Sequence, residues 1–203
     1  MNTSTKKNNI TAIVSFEDSL EKLESCLQAL NTWIPQIIVV LPEDKEIKNQ
    51  IVDKFNVSVY SQKLSTTRTR WEFGLNKTNT PWALLIRSNE IVTGQLRKAI
   101  TDKIKTHGEK VHRYILPLTI VFLKKRLKYS LDWNDSQPSH LLHTFKTINT
   151  ISQQEKHEPL SGELIRYSEK TISECAHTVT QKAEERATNL AQHTKRFLPP
   201  LSL

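Results

Sequence analysis

Short apolar runs, too brief for helices, alternate through the first ninety residues with segments whose apolar side chains recur every three or four positions. The runs span residues 10–15, 37–40, 57–60 and 82–86. Between them lie Leu20, Leu23, Leu27 and Leu30; then Ile47, Ile51, Val52 and Phe55; then a segment around Trp71 and Leu75. That spacing is one face of a helix, whereas the short runs read as buried strands. Strands alternating with helices imply βαβ units and a mostly parallel sheet. Strands apolar throughout their length imply helices on both faces of that sheet. Asp18 is placed to cap the first helix, and Pro35 closes the first unit.

After about residue 110 the alternation weakens. Residues 113–123 read as a strand or strand pair broken at Pro117, and FLKKRLKYS follows, strongly basic. Residues 141–146 and 163–167 read as further strands. Ile172, Ala176, Val179, Ala183, Ala187 and Leu190 predict a C-terminal helix, and Pro199 and Pro200 keep the last residues from continuing it. The expected organisation is a flexible start at 1–8, one domain over 9–192, and a tail at 193–203. Within the domain the divisions fall at 9–110, 111–170 and a terminal helix at 171–192.

With 203 residues the chain can bury one sizeable core. No apolar run approaches the ~20 residues of a membrane span. The start, MNTSTKKNN, has no apolar secretory region, so a cytosolic location is expected. Cys26 and Cys175 sit in helical apolar patterns and read as reduced core thiols. The net charge of +8 suits an anionic partner: nucleic acid, a phosphorylated small molecule or a membrane surface. No RNA- or DNA-binding motif accompanies the charge, so nucleic acid rests on charge alone.

In open α/β sheets ligands bind beyond the carboxyl ends of the strands. The stretches to inspect are therefore Phe16-Glu17-Asp18-Ser19, Leu41-Pro42-Glu43-Asp44 and Arg87-Ser88-Asn89-Glu90. None is a glycine-rich phosphate loop, and the chain has only four glycines, which argues against dinucleotide enzymes and P-loop NTPases.

The order of these elements resembles glycosyltransferase family 2, the nucleotide-sugar enzymes of the GT-A fold, and its short lipopolysaccharide-core branch in particular. The resemblance runs from about residue 9 to 190. It is carried by ITAIVSFEDSLEKLESCLQAL, IPQIIVVLPEDKE, FGLNKTNTPWALLIRSNEIV, HLLHTFK and LSGELIRYSEKTIS. It implies a GT-A-like α/β fold, a mostly parallel mixed sheet flanked by helices with a C-terminal helix. It also implies a nucleotide-sugar-binding half over 9–110 and an acceptor half over 111–170. The hydrophobic skeleton matches and the polar motifs depart. Where the resemblance expects Asn-Glu after the first strand the chain has Asp18-Ser19. Leu41 stands in place of a nucleoside-binding Asp, with Glu43 and Asp44 close by. The Asp-x-Asp metal motif falls on Arg87-Ser88-Asn89, with Glu90 retained after it. The acidic base falls near Ser139, with Asp135 near; an Arg falls on His143; a His falls on Arg166.

Arg-Ser-Asn presents a cation and neutral oxygens where a divalent ion would need carboxylates, so no metal cofactor is expected. Arg87 could pair a diphosphate bidentately instead, as the clamp of a metal-independent transferase, or simply pair with Glu90 or Glu72. Glu90 reads either as a surviving site acid or as an ordinary acid near a helix start. His140 and His143 fall on opposite faces of a strand. His157-Glu158 resembles a site-lining pair, and Trp133 a sugar-stacking ring; Trp33, Trp71 and Trp82 read as core or lid aromatics. Lys124, Lys125, Arg126 and Lys128 alternate with apolar side chains, which suits an anionic glycolipid or membrane surface, or a solvated loop. The expectation is a degenerate member acting by binding, or by supporting a partner glycosyltransferase, in envelope polysaccharide synthesis at the inner face of the cell membrane.

Overall fold

The computed structural model describes residues 9–17, 19–43, 45–64, 66–106, 113–127, 139–144, 160–168, 173 and 180. The first four strands are β1 (Ile10–Ser15), β2 (Gln36–Leu41), β3 (Ser58–Ser61) and β4 (Trp82–Arg87). They are joined by α1 (Leu20–Asn31), α2 (Lys45–Lys54) and α3 (Thr67–Leu75). β5 (Glu90–Val92), α4 (Gly94–Thr106), β6 (Arg113–Ile115), β7 (Leu118–Phe122), β8 (Lys125–Arg126), β9 (His140–His143) and β10 (Leu164–Tyr167) follow.

The large sheet has the order β3-β2-β1-β4-β9-β6. β3, β2, β1 and β4 are parallel to their neighbours, and β9 runs antiparallel to both β4 and β6. Helices cover both faces, as the continuously apolar strands require. On one face Ala12, Val14, Ile37, Val39 and Leu41 pack with Leu23 and Leu27 of α1, Ile51 of α2, and Leu96 and Ile100 of α4. On the other, Ile13, Ile38, Val40 and Leu85 meet Trp71 of α3. Each fully buried Leu or Ile contributes about 1.5–3 kcal/mol, so this two-sided core holds the strand ends in place. α3 lies close to the sheet because position 74 is glycine: a Cβ there would stand 2.3 Å from Cγ2 of Ile13.

A second sheet, β5-β10-β7-β8, extends from the end of β4. Its first strand is absent from the sequence expectation because three residues carry no legible period. Other departures have equally local causes. Ser19, not Asp18, caps α1, its side chain accepting from the amide of Lys22 at 3.4 Å; Asp18 lies outside the described residues. Val52 is 49% exposed, so α2 meets the core through Ile51, with Phe55 buried just past its end. Pro117 does separate two strands, but they join different sheets. Within FLKKRLKYS, Leu123 and Lys124 form the two-residue turn between β7 and β8. Cys26 is a buried free thiol, as expected. The expected C-terminal helix lies outside the described residues except for Ser173 and Thr180, both helical.

Candidate functional site

β2 and β3 are laid down on one side of β1, and β4 on the other. The crevice past the carboxyl ends of β1 and β4 is therefore the point where the strand order reverses, the usual ligand position in such sheets. Ser15 and Arg87, the last residues of the two strands, are register partners there. The amide of Ser88 donates to the carbonyl of Ser15 at 2.9 Å, and the amide of Glu17 to Oγ of Ser88 at 3.0 Å. The two strand ends are thus tied together at the site.

Glu90 is fully buried. Its Oε2 accepts from the backbone amide of Arg87 at 2.8 Å and from Oγ of Ser139 at 2.7 Å. Its Oε1 accepts from Nε and Nη2 of Arg166 at 3.0 and 2.8 Å, with Nη1 of Arg87 at 3.6 Å. An ionised carboxylate offers about four acceptor positions, and these four bonds take them. The pairing comes from sheet register: Arg166 on β10 lies directly opposite Glu90 on β5. Burial, and then the charge of Glu90, push the thiol of Cys26 well above the ordinary cysteine range.

Glu17 is the second acid. Its Oε1 accepts from Oγ1 of Thr67 at 3.0 Å and from Oγ of Ser15 at 3.2 Å. Nη2 of Arg70 and Nε of Arg87 stand at 3.6 and 3.8 Å from the same oxygen. Arg70 is held in turn by Oγ of Ser15, at 2.7 Å, and by the carbonyl of Leu64. The guanidinium of Arg87 lies 5.5 Å from the ring centre of Trp71, whose indole nitrogen donates to the carbonyl of Ile86 at 3.0 Å. Among the described residues, three guanidiniums thus face two carboxylates. Asn89 adds one loose end: its buried Oδ1 accepts no hydrogen bond from the described residues.

Of the residues singled out by sequence, Arg87, Asn89, Glu90 and Arg166 come together here. Glu72 is not the partner of Arg87; it pairs with Arg68 one helical turn away. Leu41, read as a missing nucleoside contact, is fully buried in the core. Glu43 is exposed just past β2. His143 pairs with Trp82 at the opposite end of β4 from Arg87, its ring 5.0 Å from the indole, so it does not line this crevice. Lys124, Lys125 and Arg126 belong to the β7–β8 hairpin, where Arg126 pairs with Glu163 at 2.8 Å. Asp18, Asp44, Lys128, Trp133, Asp135, His157 and Glu158 lie outside the described residues. Glu17 falls in a stretch that the sequence marks for inspection but receives no role there, Trp71 reads there as a core or lid aromatic, and Arg70 and Thr67 are not selected. The one available signal was the position of Glu17, two residues past a buried strand.

The fold that surrounds this crevice is GT-A-like. S. aureus TarS, solved with UDP-GlcNAc, is 14% identical at a TM-score of 0.58, covering 80% of this chain and 59% of that one. GalNAc-T7, solved with UDP, GalNAc and Mn²⁺, is 8% identical at 0.55, covering 78% and 44%. A mycobacterial protein is 9% identical at 0.53, covering 81% and 69%. The chain thus spans about half the length of the first two structures it matches. No protein-family model matches the chain, and no curated protein sequence does.

Proposed function

We propose that this protein is a GT-A-like relative of the family 2 glycosyltransferases that binds a nucleotide sugar at the β1–β4 crevice without a divalent metal. It has given up sugar transfer and acts by binding, or in support of a partner transferase. The observation that carries the reading is the state of Glu90. It is the acid retained from the metal-binding stretch, yet it is sealed from solvent and all its acceptor positions are taken. Beside it, Arg87 brings a positive charge to the place where a hard cation would need two or more carboxylate oxygens. The residues present do not fit a divalent ion.

The nucleotide-sugar part rests on the switch-point position, on the fold shared with proteins solved with UDP-GlcNAc or UDP, and on one feature of the crevice. Among the described residues its guanidiniums outnumber its carboxylates, which favours an anion. The lipopolysaccharide-core setting belongs to the same proposal and rests on the resemblance alone. Arg87 as the clamp of an active metal-independent transferase is the weaker reading, because both Glu17 and Glu90 already face that guanidinium.

Calorimetric titration with UDP-GlcNAc and UDP, each with Mn²⁺ and with chelator, tests the proposal, alongside an assay for donor hydrolysis and transfer. Weak binding, indifferent to metal and without turnover, is the expected result. Saturable micromolar Mn²⁺ binding, or turnover that chelator abolishes, overturns it.

A further inference from the structure

We propose that the β7–β8 hairpin is a contact tip for the surface of an anionic lipid bilayer. The inference uses none of the crevice residues and stands apart from the nucleotide-sugar reading. The two strands are joined by Leu123 and Lys124 alone, with φ of 47° and 62°. A two-residue loop with both central residues in the left-handed region is ordinarily built from Asn-Gly or Asp-Gly, which tolerate it. Here a leucine and a lysine hold it, against local preference. That leucine is also the most exposed large apolar side chain among the described residues, at 60%. Leu127, at the other end of β8, is 38% exposed.

The cations around this apex are not equivalent. Arg126 is engaged by both carboxylate oxygens of Glu163, at 3.1 and 2.8 Å, which fixes β8 against the start of β10. Lys124 and Lys125 are exposed, with no ion-pair partner among the described residues. An apolar side chain at the very tip, followed by two exposed ammonium groups, matches a bilayer interface. The leucine enters the headgroup boundary while the lysines stay with anionic headgroups. The charge pattern alone would serve a nucleic acid equally, but a phosphate backbone gains nothing from an exposed leucine. Single-strand binding instead uses stacked aromatics, and neither residue of the turn is aromatic.

Co-flotation of the full chain with vesicles tests this, using phosphatidylcholine alone and equal parts phosphatidylcholine and phosphatidylglycerol. Binding is expected only to the mixed vesicles and should weaken as salt screens the charges. Lys124→Gln with Lys125→Gln should lower the partition by about tenfold or more. Leu123→Asn suits the left-handed turn, so its melting temperature should hold or rise while vesicle binding falls by about threefold or more. That pairing separates lost contact from lost fold. Equal flotation of the parent and the double lysine variant overturns the proposal. So does equal binding to neutral vesicles, or full release by inorganic phosphate or RNA at constant ionic strength.

Discussion

Replacing Arg166 with Met tests the central feature of the crevice, a buried carboxylate held by a guanidinium. Arg166 gives two N–H bonds to one oxygen of Glu90, and the two side chains are 8% and 0% exposed. Exposed ion pairs are worth ~1 kcal/mol or less, whereas removing one partner of a buried pair costs ~3–5 kcal/mol because the other charge stays behind. Glu90 would keep Ser139, the amide of Arg87 and, at 3.6 Å, the guanidinium of Arg87. That remaining compensation puts the loss near the lower end, ~3 kcal/mol. For a chain of this size that is about 6–12 °C in melting temperature. Urea unfolding of Arg166→Met, Glu90→Gln and the double variant measures both the cost and the coupling. The double variant should be less destabilised than the sum of the singles by ~1–3 kcal/mol. A loss under ~1 kcal/mol for Arg166→Met, or strict additivity, would refute the reasoning, since Glu90 would then be solvated and available.

Three further outcomes are expected. Arg87→Asp with Asn89→Asp places paired carboxylates beside Glu90 and removes the competing cation, so calorimetry should detect saturable Mn²⁺ binding in the variant and none in the parent; no binding in either would mean that Arg87 is not what excludes the ion. Gly74→Ala gains ~1 kcal/mol of helix propensity but drives a methyl group into Ile13 at 2.3 Å, so urea unfolding should show a net loss of up to ~2 kcal/mol. Cys26 is raised by burial and by Glu90, so its thiol ionises more easily in the unfolded chain. Its contribution is complete below the unfolded value of ~8.5 and declines as pH rises above it, by at most ~1.4 kcal/mol per unit. Relative to Cys26→Ala, the parent should therefore lose stability more steeply between about pH 8 and about pH 10, and parallel profiles would contradict the assignment.

What could be read from the sequence, and what could not, follows from the range over which each feature is encoded. Of the four parallel strands, β1, β2 and β4 show as mostly apolar runs, and α1 shows its buried face as Leu23, Leu27 and Leu30. Their order then places Arg87, Asn89 and Glu90 at the switch point, so the position of the crevice was legible. Its wiring was not. Glu90 meets Arg166 across 76 residues and Ser139 across 49, and Arg70 meets Ser15 across 55. No local spacing carries such pairs; they are fixed by the register of two short strands, β5 and β10, that have no period of their own. A sequence therefore shows Glu90 as an acid in a ligand-binding position, and only the register shows that its acceptor positions are already filled. The same holds for Leu41, whose place beside the crevice says nothing of its side chain until β2 is seen to turn it into the core. In this scaffold the strands fix where a ligand would bind, and contacts between residues far apart in the chain decide which charges are left to meet it.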